Sequence, residues 1–222
     1  MLAWLIVMLI ITVLVLLAAA GAAVWRWGPE WIAPTEQFTA SPGGAVAYIG
    51  MATQVRNQGA QIYAGEDFTV SFSDTEFTGL VTSALLSRKQ AENPLEKVRA
   101  TVAPGEIRMD AVLKLPYPEV PARFRGPIGL TLWLQPTVEH GSNVRFQLTR
   151  AAIGRIPVPL STVRWAGEKY AAAVPGYDAR DIAFSLPLGD LLGQQMGRPV
   201  IIKRMDTNTG TLTMTLAFPA KQ

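Results

Sequence analysis

The single histidine, His140, sits in a His-Gly-Ser turn. A catalytic imidazole needs a group to exchange protons with and a carboxylate to hold its tautomer. Glu139 is adjacent in sequence, but neighbours at a strand end point apart, so His140 reads as a turn residue. One histidine also cannot supply the two or three imidazoles of the common metal sites. No serine lies in a Gly-x-Ser-x-Gly elbow, and there is no Gly-x-x-x-x-Gly-Lys phosphate loop. Asp178 and Asp181 flank Arg180 and could together hold a cation; the plainer reading is exposed loop charges, as for Glu66 and Asp67. The chain has no cysteine, which removes thiolate nucleophiles, disulfides, iron–sulfur sites and cysteine-based zinc sites together. These residues point to no enzyme, no metal and no cofactor.

Residue types that bind without reacting are better represented. Leu160, Val163, Trp165, Tyr170, Val174 and Tyr177 form an apolar and aromatic group interleaved with Arg164 and Lys169. One reading is a lipid groove with basic residues near a phosphate. The other is an amphipathic helix packed on a sheet, its charges snorkelling to water. Upstream, Val144, Phe146 and Leu148 share one strand face, and Ile156 lies in the Gly-Arg-Ile-Pro-Val-Pro corner between them and the helix. Arg123 and Arg125 flank Phe124 in a proline-rich loop over residues 116–129. They suit headgroup contact or plain solvation equally.

The elements that must position these residues begin with an apolar run over residues 2–24, free of Lys, Arg, Asp and Glu. At about 1.5 Å per residue it spans a hydrocarbon core of about 30 Å. Trp25, Trp27 and Trp31 follow, as at a membrane interface. The rival is a cleaved signal peptide, with small residues over 18–23. The run lacks a preceding basic residue and exceeds an ordinary signal core, which favours an anchor over residues 1–25. Nothing precedes it, which favours an exported C-terminal part, although Arg26 alone leans the other way. Residues 26–46, rich in Pro, Gly and Ser, read as a linker. Residues 47–222 then form one domain.

Within that domain residues 48–62 suggest a short helix. Residues 67–72 alternate as a strand, and Ser73-Asp-Thr-Glu76 opens a helix as a capping box, with Asn93-Pro94 as its stop. Residues 98–102 and 106–115 pair across Pro104-Gly105, and 130–139 and 143–153 pair across His140-Gly141-Ser142. A helix follows over 160–174, then a short one over 187–196, then a hairpin of 200–206 with 211–218. Strands arriving as hairpins predict an antiparallel sheet, with 107–115, 130–139, 143–153 and 211–218 together in it, and an α+β class. The net charge of +3 over 222 residues is too weak to argue for nucleic acid and suits an anionic membrane surface.

Two segments carry a resemblance. Phe68-Thr-Val-Ser-Phe-Ser-Asp-Thr-Glu-Phe-Thr-Gly-Leu-Val resembles the strand and Ser/Thr-x-x-Glu helix opening of YpmS-like bacterial proteins. Ala152-Ile-Gly-Arg-Ile-Pro-Val-Pro-Leu-Ser-Thr-Val resembles that family's turn into a helix, and the layout is similar to LmeA-like lipid-binding proteins. The resemblance spreads over residues 67–218. It implies a curved sheet wrapped on helices, with an elongated apolar groove for acyl chains at the outer face of a bacterial membrane. Lipid-groove residues are then Phe146, Leu148, Ile156, Leu160, Val163, Trp165 and Tyr170. Headgroup residues are Arg123, Arg125 and Arg164. The expected function is a single-pass, non-catalytic envelope protein that binds or handles membrane lipid. The alternative is a bitopic scaffold docking onto another envelope protein through a sheet edge or apolar patch.

Overall fold

The computed structural model describes residues 29–35, 53, 56–57, 66–86, 95–114, 126–139, 141–170 and 176–219. The proposed anchor, most of the helix expected over 48–62, Arg123, Arg125 and His140 lie outside these residues. Among the described residues no helix is long and apolar enough to cross a membrane.

Alternation of apolar and polar residues dictates most of the architecture. Strand β1 (Asp67–Ser73) buries every second residue, Phe68, Val70 and Phe72. Its capping box forms as expected. The Ser73 N–H donates to Glu76 Oε2 at 2.8 Å, and the Glu76 N–H donates to Ser73 Oγ at 3.3 Å. Helix α1 (Asp74–Leu86) follows, ending before Asn93-Pro94. Then come β2 (Leu95–Ala103), β3 (Glu106–Leu113), β4 (Ile128–Val138), β5 (Val144–Ile153) and β6 (Ile156–Val158). Helix α2 (Leu160–Tyr170), β7 (Tyr177–Asp178), β8 (Ala183–Leu186), α3 (Leu188–Met196), β9 (Ile201–Asn208) and β10 (Thr211–Ala217) complete the order. The class is α+β, and every strand pairing is antiparallel.

The strands divide into two sheets where one was expected. The smaller runs β1-β10-β9; the larger runs β2-β3-β4-β5-β8-β7, with β6 on β5. Residues 211–218 therefore do not join the sheet of β3, β4 and β5. Their apolar face, Leu212, Met214 and Leu216, lies in a core shared with Val98, Val102, Ile107, Leu132 and Leu134 of the larger sheet. β9 packs on β2 and β4, and β10 packs on β2. Each sheet thus covers the other's apolar face, a task assigned to helices in the sequence reading.

Helix α1 seals the open edge of β2. Thr78 Oγ1 donates to the Ala100 carbonyl at 3.0 Å and accepts from its N–H at 2.9 Å. Asp74 accepts from the Val102 N–H at 2.7 Å. Three edge groups are satisfied by side chains, which blunts further strand pairing there.

Residues 29–35 depart from the expected linker. Pro29–Trp31 form a 3-10 turn, and Ile32 is buried in the core at 5% exposure. The Gly129 N–H donates to the Ile32 carbonyl at 2.9 Å, and the Arg155 N–H donates to the Trp31 carbonyl at 2.8 Å. A Cβ on Gly129 would stand 2.6 Å from Pro34 Cα, and one on Gly154 would stand 2.2 Å from the Trp31 oxygen. Gly129 on β4 and Gly154 in the turn after β5 thus make a trough that admits backbone. This part of the 26–46 segment belongs to the folded domain.

Candidate functional site

The corner after β5 is itself a tight hairpin. Gly154 takes φ +55°, and β6 folds back with Ile153 opposite Ile156 and Ala151 opposite Val158. Pro157 and Pro159 then release the chain into α2, which packs on β5. The helix is two-sided, as its sequence requires. Val163 and Ala166 have 0% exposure, whereas Arg164 and Trp165 face solvent, Trp165 at 45%. Lys169 Nζ lies 5.2 Å from the Trp165 ring centroid. A cation over an indole at the surface is a favourable pair.

The groove candidates therefore separate into two populations. Phe146, Leu148 and Val163 are buried in one cluster, with Ile156 and Leu160 half-buried against it. Trp165 is outside. Tyr170 closes α2, and its side chain is not among those described. Among the headgroup candidates, only Arg164 is described, and it is exposed on α2.

Two residues of this seam, Phe184 and Ile182, went unread in the sequence, and they are joined here by Tyr177 of the apolar and aromatic group. Phe184 of β8 stacks on Phe146 with centroids 5.3 Å apart. Tyr177 of β7 runs beneath α2, where a Cβ on Gly167 would be 1.8 Å from the Tyr177 oxygen. That hydroxyl is buried with no hydrogen-bond partner among the described residues. Burial raises the Tyr177 phenol above its usual range, with Asp178 and Glu168 adding to the effect. Ile182, which precedes β8, takes φ +51°, unusual for a β-branched residue. Its carbonyl accepts the Leu148 N–H at 3.0 Å, and it is buried. Such a conformation costs about 1–3 kcal/mol and persists only where surrounding contacts enforce it.

The loop carboxylates are engaged. Arg145 reaches Asp178 at 2.9 Å, Asp181 at 2.8 Å and Glu139 at 3.4 Å, and the Ser185 hydroxyl donates to Glu139 at 2.7 Å. The Arg145 guanidinium holds Asp178 below the usual carboxylate range. Asp178 and Asp181 thus turn on an arginine, where the sequence had allowed a bound cation.

A second cluster lies on the outer face of the larger sheet. Trp133 stands between Arg150, 4.7 Å from its centroid, and Arg108 at 6.0 Å. Arg150 is anchored by Glu106 at 2.9 Å. Asp110 is only 5% exposed. It pairs with Arg99 at 3.1 Å and Arg108 at 2.9 Å, and accepts from the Thr131 hydroxyl at 2.9 Å. A small pocket of about 10 Å³ lies there, lined in part by Pro34, Asp110, Thr131 and Gly154. It has room for about one water and no more.

Comparison with protein-family models, with curated proteins and with solved structures gives no match. The chemistry of these residues is therefore the ground for a functional reading.

Proposed function

We propose that the chain is a membrane-anchored, non-catalytic protein of the bacterial cell envelope that binds lipid. The site in this reading is the seam between α2 and the β5–β8 edge. The carrying observation is the two-sided α2. Trp165, Arg164 and Lys169 present an aromatic and basic surface of the kind that settles at headgroup depth. Val163 and Ala166, on the opposite side, close over a cluster containing Phe146 and Leu148.

In the closed state this seam is packed. An acyl chain enters by lifting α2 from β5 and replacing its contacts. Uncovering Val163 and its neighbours costs about 1.5–3 kcal/mol per large side chain, and each buried methylene returns about 0.8 kcal/mol. A chain of roughly eight methylenes therefore offsets the opening when lipid arrives from water. A lipid arriving from a bilayer gains no such term, so binding then rests on headgroup contacts, for which Arg164 and Lys169 are placed. The Tyr177 hydroxyl, without a hydrogen-bond partner among the described residues, supplies a donor within the seam. The YpmS-like segments and the apolar run over residues 2–24 support the same reading.

The test is lipid retention by the full-length chain purified in mild detergent, quantified by mass spectrometry. The reading expects a reproducible, near-stoichiometric lipid that falls several-fold in Trp165→Ala/Lys169→Ala. Lipid at detergent-blank levels in both would overturn it.

A second reading, docking onto another envelope protein, is favoured by Trp133 and its flanking arginines, residue types that dominate protein interfaces. Sheet edges suit such docking less well. The β2 edge is capped by α1, and β9 carries exposed Lys203 and Arg204. Cross-linking in intact membranes, with Trp133→Ala as the control, tests this alternative.

A further inference from the structure

From the docked segment at residues 29–35 we infer that the Gly129/Gly154 end of the domain faces the phospholipid bilayer at close range, with Trp31 and Arg155 at the headgroup layer. The inference rests on the reading of residues 2–24 as an anchor. A proline- and glycine-rich linker after an anchor ordinarily lets a domain tumble on a leash. Here the leash is short, because the chain is captured almost at once. The backbone of Trp31 and Ile32 is hydrogen-bonded to Arg155 and Gly129, Ile32 is in the core, and the glycine trough holds the segment against β4 and the β5–β6 turn. From Val24, the last residue of the apolar run, to Pro29 is five residues. Fully extended, these reach about 17 Å.

The residues at this end match that placement. Trp31 is 47% exposed although its own carbonyl and the chain that follows it are docked. An exposed indole just after an anchor belongs at the interface, where its ring is amphipathic to good effect. Arg155 and Lys114 are exposed at this end, beside the exposed acids Glu30 of the docked segment and Glu96 of β2. The opposite end is far away. The Gly210 N–H bonds to the Val102 carbonyl, and the Gly105 N–H bonds to Thr207, which sets the β9–β10 turn beside the β2–β3 turn. That level of the sheet is marked by Ile107 opposite Leu134, and the trough by Gly129, five residues along β4. The separation is about 17 Å or more.

The absence of cysteine makes the test direct. Arg155→Cys and Thr209→Cys are made singly in the full-length chain and labelled with a thiol-reactive fluorophore. Each is reconstituted into phosphatidylcholine/phosphatidylglycerol vesicles that carry a headgroup-linked quencher. The expected result is quenching several-fold stronger at position 155 than at 209. Equal quenching in a chain that floats with the vesicles overturns the inference and leaves the anchor standing. A chain that fails to float with vesicles overturns both.

Discussion

Val163 has no exposed surface, yet Trp165 two residues on is nearly half exposed. Substitutions at the two positions should therefore separate stability from binding. Val163→Asp places an unpaired carboxylate in the core and is expected to cost about 3–5 kcal/mol, read by denaturant unfolding. A loss under about 1 kcal/mol would mean that water or lipid already reaches this position. Trp165→Ala is expected to leave stability within about 0.5 kcal/mol of the parent while lowering lipid retention. Gly167 makes a third case, because any Cβ meets the Tyr177 hydroxyl. Gly167→Ala should destabilise by about 1–3 kcal/mol through overpacking, and shift the Tyr177 absorbance titration toward ordinary phenol behaviour as the ring is displaced. An unchanged titration would contradict the close approach beneath α2.

The elements most legible in the sequence were those long enough to show a period. β1 alternates over its seven residues and β5 and β10 over six, and the capping box marked the start of α1. Alternation names a buried face without naming what covers it, so the division into two sheets was not legible. β7 has two residues and β8 four, too few to carry a period, so neither strand was legible and Phe184 was missed. The seam was accordingly half visible: Phe146, Leu148, Val163 and Tyr177 as apolar residues of their own segments, Phe184 and Ile182 not at all. The pocket beside Asp110 was not legible, because Pro34, which also lines it, comes from a stretch whose composition reads as linker. Gly129 and Gly154 show their purpose only once another backbone is seen lying on them. At this scale pH reports on the β7–β8 edge. Arg145 holds Asp178 below the usual carboxylate range, so the charged form favours the fold. That contribution is present above the unfolded carboxylate value of about 3.9 and fades as pH falls through the lower folded value. Amide exchange over residues 177–186 is expected to accelerate below about pH 4, ahead of β3 and β4. Simultaneous loosening of all strands would contradict a local role for Arg145. The effect is small, since Asp178 keeps much of its solvent.

At the scale of the molecule, two sheets share one core, the trough at one end holds the segment that leads to the apolar run, and α2 lies along the β5 edge with a basic, aromatic outer side. In the proposed reading, a domain held this way keeps α2 within reach of a bilayer, and the seam beneath it is where an acyl chain would leave the membrane for the protein. Photolabelling tests that claim most directly. The full-length chain in vesicles containing a diazirine phospholipid is irradiated, and the labelled peptides are mapped by mass spectrometry. The account predicts label inside the seam, on Phe146, Phe184 or Tyr177, in addition to residues 2–24. Label confined to residues 1–31 and the outer side chains Arg164, Trp165 and Lys169 would contradict it, leaving a domain that rests on the membrane without taking lipid in.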